Sequence, residues 1–234
     1  MDGTTAEIRV DPGRVARGLA ALVTVLVAAS VIGQMYVRSG GTGALALVAG
    51  KMNLDAELTV PAYVSSALLL AAALLLAVTA VATRSGWRSH WGVLSVLFAG
   101  LSVDEALGFH EKLVEPVRSV LDVGGALHFA WVIPGAIFVA VVGLSFVPFL
   151  LRRPPWLRRL MVLAGALYVG GALGLEFVGG ALAFEGLDDS WAYVVSGTVE
   201  EAAELAGVSV FLYALLRNLE HLGGQLSVRV VGRG

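Results

Sequence analysis

Three carboxylates and an imidazole fall within the stretch Ser102-Val103-Asp104-Glu105-Ala106-Leu107-Gly108-Phe109-His110-Glu111, at the far end of an apolar run that begins near Trp91. A second acidic group, Glu200-Glu201-Ala202-Ala203-Glu204, interrupts the last apolar run. Glu176 interrupts the run before it, and His128 opens the one between. Oxygen and imidazole donors without sulfur suit zinc, iron or manganese, whereas carboxylates alone suit calcium or magnesium. The candidate metal ligands are therefore Asp104, Glu105, His110, Glu111, His128, Glu176, Glu200, Glu201 and Glu204, with a divalent zinc, iron or manganese ion as cofactor. A spare glutamate in such a set can act as general base on metal-bound water.

Several familiar plans are excluded. Leu107 and Gly125 stand three residues before His110 and His128, where a di-iron bundle places glutamate. The zinc signature His-Glu-x-x-His fails because Val114 occupies the second histidine position. There is no Gly-rich phosphate loop and no Gly-x-Ser-x-Gly elbow. The chain has no cysteine, so thiol nucleophiles, disulfides and Cys-ligated metals are excluded.

The elements that carry these groups are membrane-like. Of 234 residues, 57% are hydrophobic and only 15% charged, against roughly 25% charged in soluble domains. Six apolar runs are visible, at about 15–37, 58–83, 90–110, 127–151, 157–184 and 191–216. Each exceeds the roughly 20 residues a helix needs to cross a hydrocarbon core. The patch Ala44 to Ala49 is too short to cross, and the stretch 111–126 reads as an interfacial loop with a turn of helix. The expected fold is an all-α polytopic membrane bundle of six transmembrane helices. It divides into an N-terminal segment 1–14, a membrane domain 15–217 and a tail 218–234 with a β-like patch at 226–231.

Orientation follows from the basic residues. Twelve of the 16 Lys and Arg fall in one set of alternate loops, and only Arg38, Lys51, Lys112 and Arg118 in the other. The positive-inside rule then puts both termini in the cytoplasm. At 1.5 Å per residue, the acids of runs three, five and six all fall within roughly the outer 20 Å of the bilayer. Ionisable groups there cost several kcal/mol each unless paired, hydrated or bound to a cation.

Local pattern adds finer expectations. Asp104 and Glu111 share a face if run three stays helical through Gly108, and Glu200, Glu201 and Glu204 occupy one arc. Ser102-x-x-Glu105 and Thr198-x-x-Glu201 match the capping box; they also share a [Ser/Thr]-Val-acid-Glu-Ala pattern, which would suit an inverted repeat. Ala172, Gly179 and Gly180 around Glu176 would let a partner helix approach. Trp91, Trp131, Trp156 and Trp191, near run ends, read as interface anchors.

Three functions compete. The first is a metal-dependent membrane enzyme acting on a lipidic or amphiphilic substrate that enters sideways. The second is a cation- or proton-coupled transporter using the same acids, and the third a non-catalytic scaffold or sensor. The one-sided acid layer favours the enzyme, because transporter sites usually sit near the midplane. A net charge of −2 and the lack of a basic cluster exclude nucleic acid as partner. The expected surroundings are the lipids of the cell membrane, with a homodimer as a further possibility.

Overall fold

The computed structural model describes residues 5–83, 86–223 and 227–231. It is almost entirely helical. The long elements are α1 (Pro12–Arg38), α3 (Val60–Ala82), α4 (Arg88–Leu107), α6 (Val132–Leu151), the broken helix α7 (Pro155–Val169) to α8 (Glu176–Phe184), and α9 (Trp191–His221). Two short helices, α2 (Ala44–Lys51) and α5 (Val114–Leu121), occupy the connections. Four described helical segments, α1, α3, α6 and α7–α8, are long and apolar enough to cross a membrane, and α4 with the helical stretch Glu111–Leu121, bent by 75°, makes a fifth if the pair is one span. The 31 residues of α9 span about 46 Å, but it carries Glu200, Glu201 and Glu204.

The sequence explains the starts. Asp11 caps α1 by accepting the Arg14 N–H at 3.0 Å, and Pro12 sits in the first turn, where its missing N–H costs nothing. Thr59 and Ser190 cap α3 and α9 in the same way. Helix α9 therefore begins a full two turns before Thr198, and Ser102 lies inside α4. Both expected capping boxes are replaced by mid-helix placements, and Ser102 bonds across to α3 instead.

Small polar residues zip α3 to α4. The Ser66 hydroxyl donates to the Ser102 carbonyl and the Ser102 hydroxyl to the Ser66 carbonyl, each at 2.8 Å. Seven residues further along both helices, Ser95 donates to the Ala73 carbonyl at 2.8 Å, an antiparallel register. Helix α9 is the axis of the bundle. At Gly207 an added Cβ would lie 2.7 Å from the Tyr168 nitrogen, and at Gly171 one would lie 2.8 Å from the Glu200 carbonyl oxygen. Only glycine lets α7 and α9 approach that closely.

Around the second half of α9 the core is dry: Leu69, Leu76, Trp91, Phe149, Leu157, Val208, Leu212 and Leu215 are buried together. Trp91, expected as an interface anchor, is in fact 1% exposed. Phe149 packs edge-on against it at 4.9 Å, and Trp87 and His90 pack on the same Phe149 ring, with Arg153 over it. At the same end the backbones of β1 (Thr5–Arg9) and β2 (Ser227–Val231) pair antiparallel, Thr5 opposite Val231. The β-like tail thus has a partner in the N-terminal segment, an addition to the all-helical expectation.

Candidate functional site: an acid-lined cavity

At the opposite end the bundle opens into a cavity of about 450 Å³. Helix α4 contributes Asp104 and Glu105, and the turn after it His110 and Glu111. The π segment and α8 contribute Ala172 and Glu176, and α9 contributes Tyr193, Glu200, Glu201 and Glu204. Eight of the nine residues singled out in the sequence therefore line one space. Among the described lining residues there is no Lys or Arg. Glu204 is the most enclosed of the acids at 9% exposure. Its side chain packs against Gly171, where an added Cβ would lie 2.9 Å from the Glu204 Cγ, and Tyr168 lines the cavity with it.

His128 is the exception. It does not line the cavity; Arg118 Nη1 lies 3.3 Å from its ring nitrogens, and Phe129 and Phe184 pack against it. A guanidinium over the imidazole occupies the ring that sequence had placed among the ligands.

The continuous face from Asp104 to Glu111 is also corrected. Helix α4 stops at Leu107, and Gly108 takes the left-handed conformation (φ 56°, ψ 46°) that ends helices. The chain turns back, so the His110 backbone N–H donates to Asp104 Oδ1 at 3.0 Å and its Nδ1 lies 2.8 Å from Asp104 Oδ2. Asp104 holds His110 rather than Glu111. The ring of His110 also leans on Trp131 at 4.8 Å. Trp131 in turn donates from Nε1 to Glu176 Oε1 at 2.7 Å. This tryptophan, expected as an anchor, joins two walls of the cavity.

A helical break explains how Glu176 arrives. Residues Gly170–Leu175, Gly-Gly-Ala-Leu-Gly-Leu in sequence, form a turn and a half of π-helix directly before it. Such wide turns recur at functional sites because they re-aim one side chain without ending the helix. Gly179 and Gly180, expected to admit a crossing helix, instead admit the connecting segment. A Cβ on Gly180 would lie 3.1 Å from the Ala126 carbonyl oxygen.

Two acids were not foreseen. Asp55 and Glu57, in the connection between α2 and α3, also line the cavity, bringing its carboxyl groups to nine. Leu58 beside them has φ 57°, a strained value for a leucine, and it turns the chain into α3. Asp55 lies over Gly197 of α9, where a Cβ would collide with its carboxyl group. Burial, with Glu176 and Glu111 nearby, pushes the Asp55 carboxyl up to about 6. Burial and Glu111 likewise raise Glu57 above the usual range; its Oε2 is buried with no hydrogen-bond partner. The readable signal was an Asp-x-Glu pair immediately before a span.

Chemically, the cavity is a ring of oxygen donors with one imidazole. Among the described residues no three His, Asp or Glu side chains stand close enough together to enclose an ion as they are oriented. The donors face a shared space rather than a closed cage.

Searches among curated proteins and among solved structures gave no match. A family profile matches residues 16–219, which takes in every long helix and the whole cavity. The chain belongs to the family described as a domain of unknown function, DUF8692.

Proposed function

We propose that the cavity binds one or more divalent cations and that the protein is a metal-dependent membrane enzyme. The observation that carries this reading is the imbalance of the lining: nine carboxyl groups, one imidazole and no Lys or Arg among the described residues. So many acids in a poorly hydrated space must take up protons or a cation. Glutamates on three elements are long enough to draw in around an ion, and an imidazole among them favours zinc, iron or manganese. Chain ends that pair with each other support an even number of crossings. We read α9 as the sixth span, with the cavity facing outward.

The dry end of α9 supports an enzyme over a transporter. Below Glu204 the axis is packed with Leu205, Val208, Phe211, Leu212 and Leu215, all buried, and among the described lining residues no carboxylate lies beyond Glu204 toward the arginine-rich end. An ion has a place to sit but no acidic path through.

The experiment is a thermal-unfolding series in detergent. Chelator should lower the melting temperature, and zinc, manganese or iron should restore it more effectively than magnesium. Glu176→Gln and Glu204→Gln should blunt that response, and Glu220→Gln, at the far end of α9, should not. A melting temperature indifferent to chelator and metal in the parent chain contradicts the proposal. Because the chain has no native cysteine, orientation can be read separately. Asp188→Cys should react with an impermeant thiol reagent on intact cells, and Glu220→Cys should not.

A further inference from the structure

Asp104 uses both carboxylate oxygens on one residue. Oδ1 accepts the His110 backbone N–H at 3.0 Å, and Oδ2 meets His110 Nδ1 at 2.8 Å. A backbone amide can only donate, so the first contact makes Oδ1 an acceptor and sets the plane of the carboxyl group. With Asp104 ionised, Oδ2 has no proton to give, and the Nδ1 contact then puts the ring proton on Nδ1. In the neutral ring that leaves the lone pair on Nε2, which has no hydrogen-bond partner among the described residues, while the residue lines the cavity. The return of the chain at Gly108 creates this pairing. A Cβ there would meet Glu57 Cδ at 3.3 Å, and φ is +56°, so the turn is specific to glycine.

We infer that Asp104 is a positioning residue and that His110 Nε2 is the single nitrogen donor offered to a cation in the cavity. This rests on the cation reading above and alters its ligand set: Asp104 moves out of direct contact, and the Trp131 ring, 4.8 Å from His110, holds the imidazole from the side. Metal-binding histidines characteristically give their other ring N–H to a carboxylate, which sets the tautomer and raises the basicity of the ligating nitrogen. A site with one imidazole among carboxylates prefers zinc, iron or manganese to magnesium or calcium.

The test begins on metal-free protein with 15N-labelled histidine at mildly alkaline pH. The four histidines can be assigned by replacing each in turn. His110 should carry its proton on Nδ1, and added zinc should move the Nε2 resonance. In Asp104→Asn the tautomer should become mixed, and zinc affinity should fall by about 10- to 100-fold with the melting temperature of the metal-free protein unchanged. His110→Gln should remove the preference for zinc over magnesium. A proton on Nε2 in the parent, or zinc affinity unaffected by Asp104→Asn, overturns the positioning role even if the protein holds metal. If His110 has the stated tautomer and no divalent ion moves its Nε2 resonance, both this inference and the cation reading fall.

Discussion

The two halves of α9 show how one helix can serve opposite ends. From Leu205 to Leu219 ten of the 15 residues are buried, and the buried face meets apolar side chains: Leu69, Leu76, Phe149 and Leu157 from three other helices. From Tyr193 to Glu204 the same helix presents three carboxyls and a phenol to a cavity lined by acids from α4, α8 and the α2–α3 connection. Glycines make both possible but for different reasons. Gly207 brings the α7 backbone into contact, which tightens the dry half, whereas Gly197 leaves room for the Asp55 carboxyl, which enlarges the acidic one. The dry half holds the bundle together by close packing. The acidic half is held apart by groups that repel unless protonated or bound to a cation.

Replacements should therefore behave differently in the two halves. The largest effect is expected for Leu215→Ala, fully buried in the dry core. It should cost about 2–5 kcal/mol, measured by reversible unfolding in detergent, by the same amount with or without chelator. Gly207→Ala should follow at about 1–3 kcal/mol, because its Cβ would meet backbone atoms at 2.7 and 2.9 Å that cannot rotate away. In the acidic half the sign reverses. Glu204→Gln keeps the volume and replaces an acid that must take up a proton when no cation is bound, so the metal-free protein should gain stability on the order of 1 kcal/mol, while its response to metal declines. If Glu204→Gln instead destabilises the metal-free protein as Leu215→Ala does, the two halves do not differ in kind.

The smallest effect is in pH. Asp55 and Glu57 have carboxyls raised by burial, Asp55 to about 6, so the folded state holds their protons more tightly than the unfolded chain does. Their contribution favours folding at low pH, falls as pH rises from the ordinary carboxylate range of about 4 to about 6, and stays flat above. Metal-free protein should lose a little stability across that window. Asp55→Asn should flatten the slope, and a slope of opposite sign would show that burial does not govern these groups.

How much of this could be read in the chain depends on the length scale of each signal. Long apolar runs gave helix positions to within a few residues, because burial and helix length set them directly. The meeting of Glu105, Glu176, Glu200, Glu201 and Glu204 in one cavity was legible because helical rise converts sequence number into position along the bundle. The failures come where a single residue redirects the chain. Gly108 ends α4 and folds His110 back onto Asp104, which no periodicity can foretell. The capping-box pattern around Ser102 and Thr198 was misleading because both serve mid-helix, where Ser102 finds its partner in Ser66 on another helix. His128 and Trp131 exchanged roles for the same reason: a partner remote in sequence, Glu176 for the tryptophan, determines which ring faces the cavity. Asp55 and Glu57 were passed over because they follow an apolar patch too short to cross. That patch became α2, whose backbone packs at Gly33 of α1 and brings the connection over the acids.

The most direct test is elemental analysis of protein purified without added metal or chelator, set beside the triple variant Glu200→Gln, Glu201→Gln, Glu204→Gln. If the acidic half of α9 serves a cation, the parent should carry zinc, iron or manganese in stoichiometric amount and the variant should carry none, with its dry half still folded. A parent free of metal, together with a variant that melts higher at every metal concentration, would show that these acids are held by protons alone and would contradict a divalent-cation site.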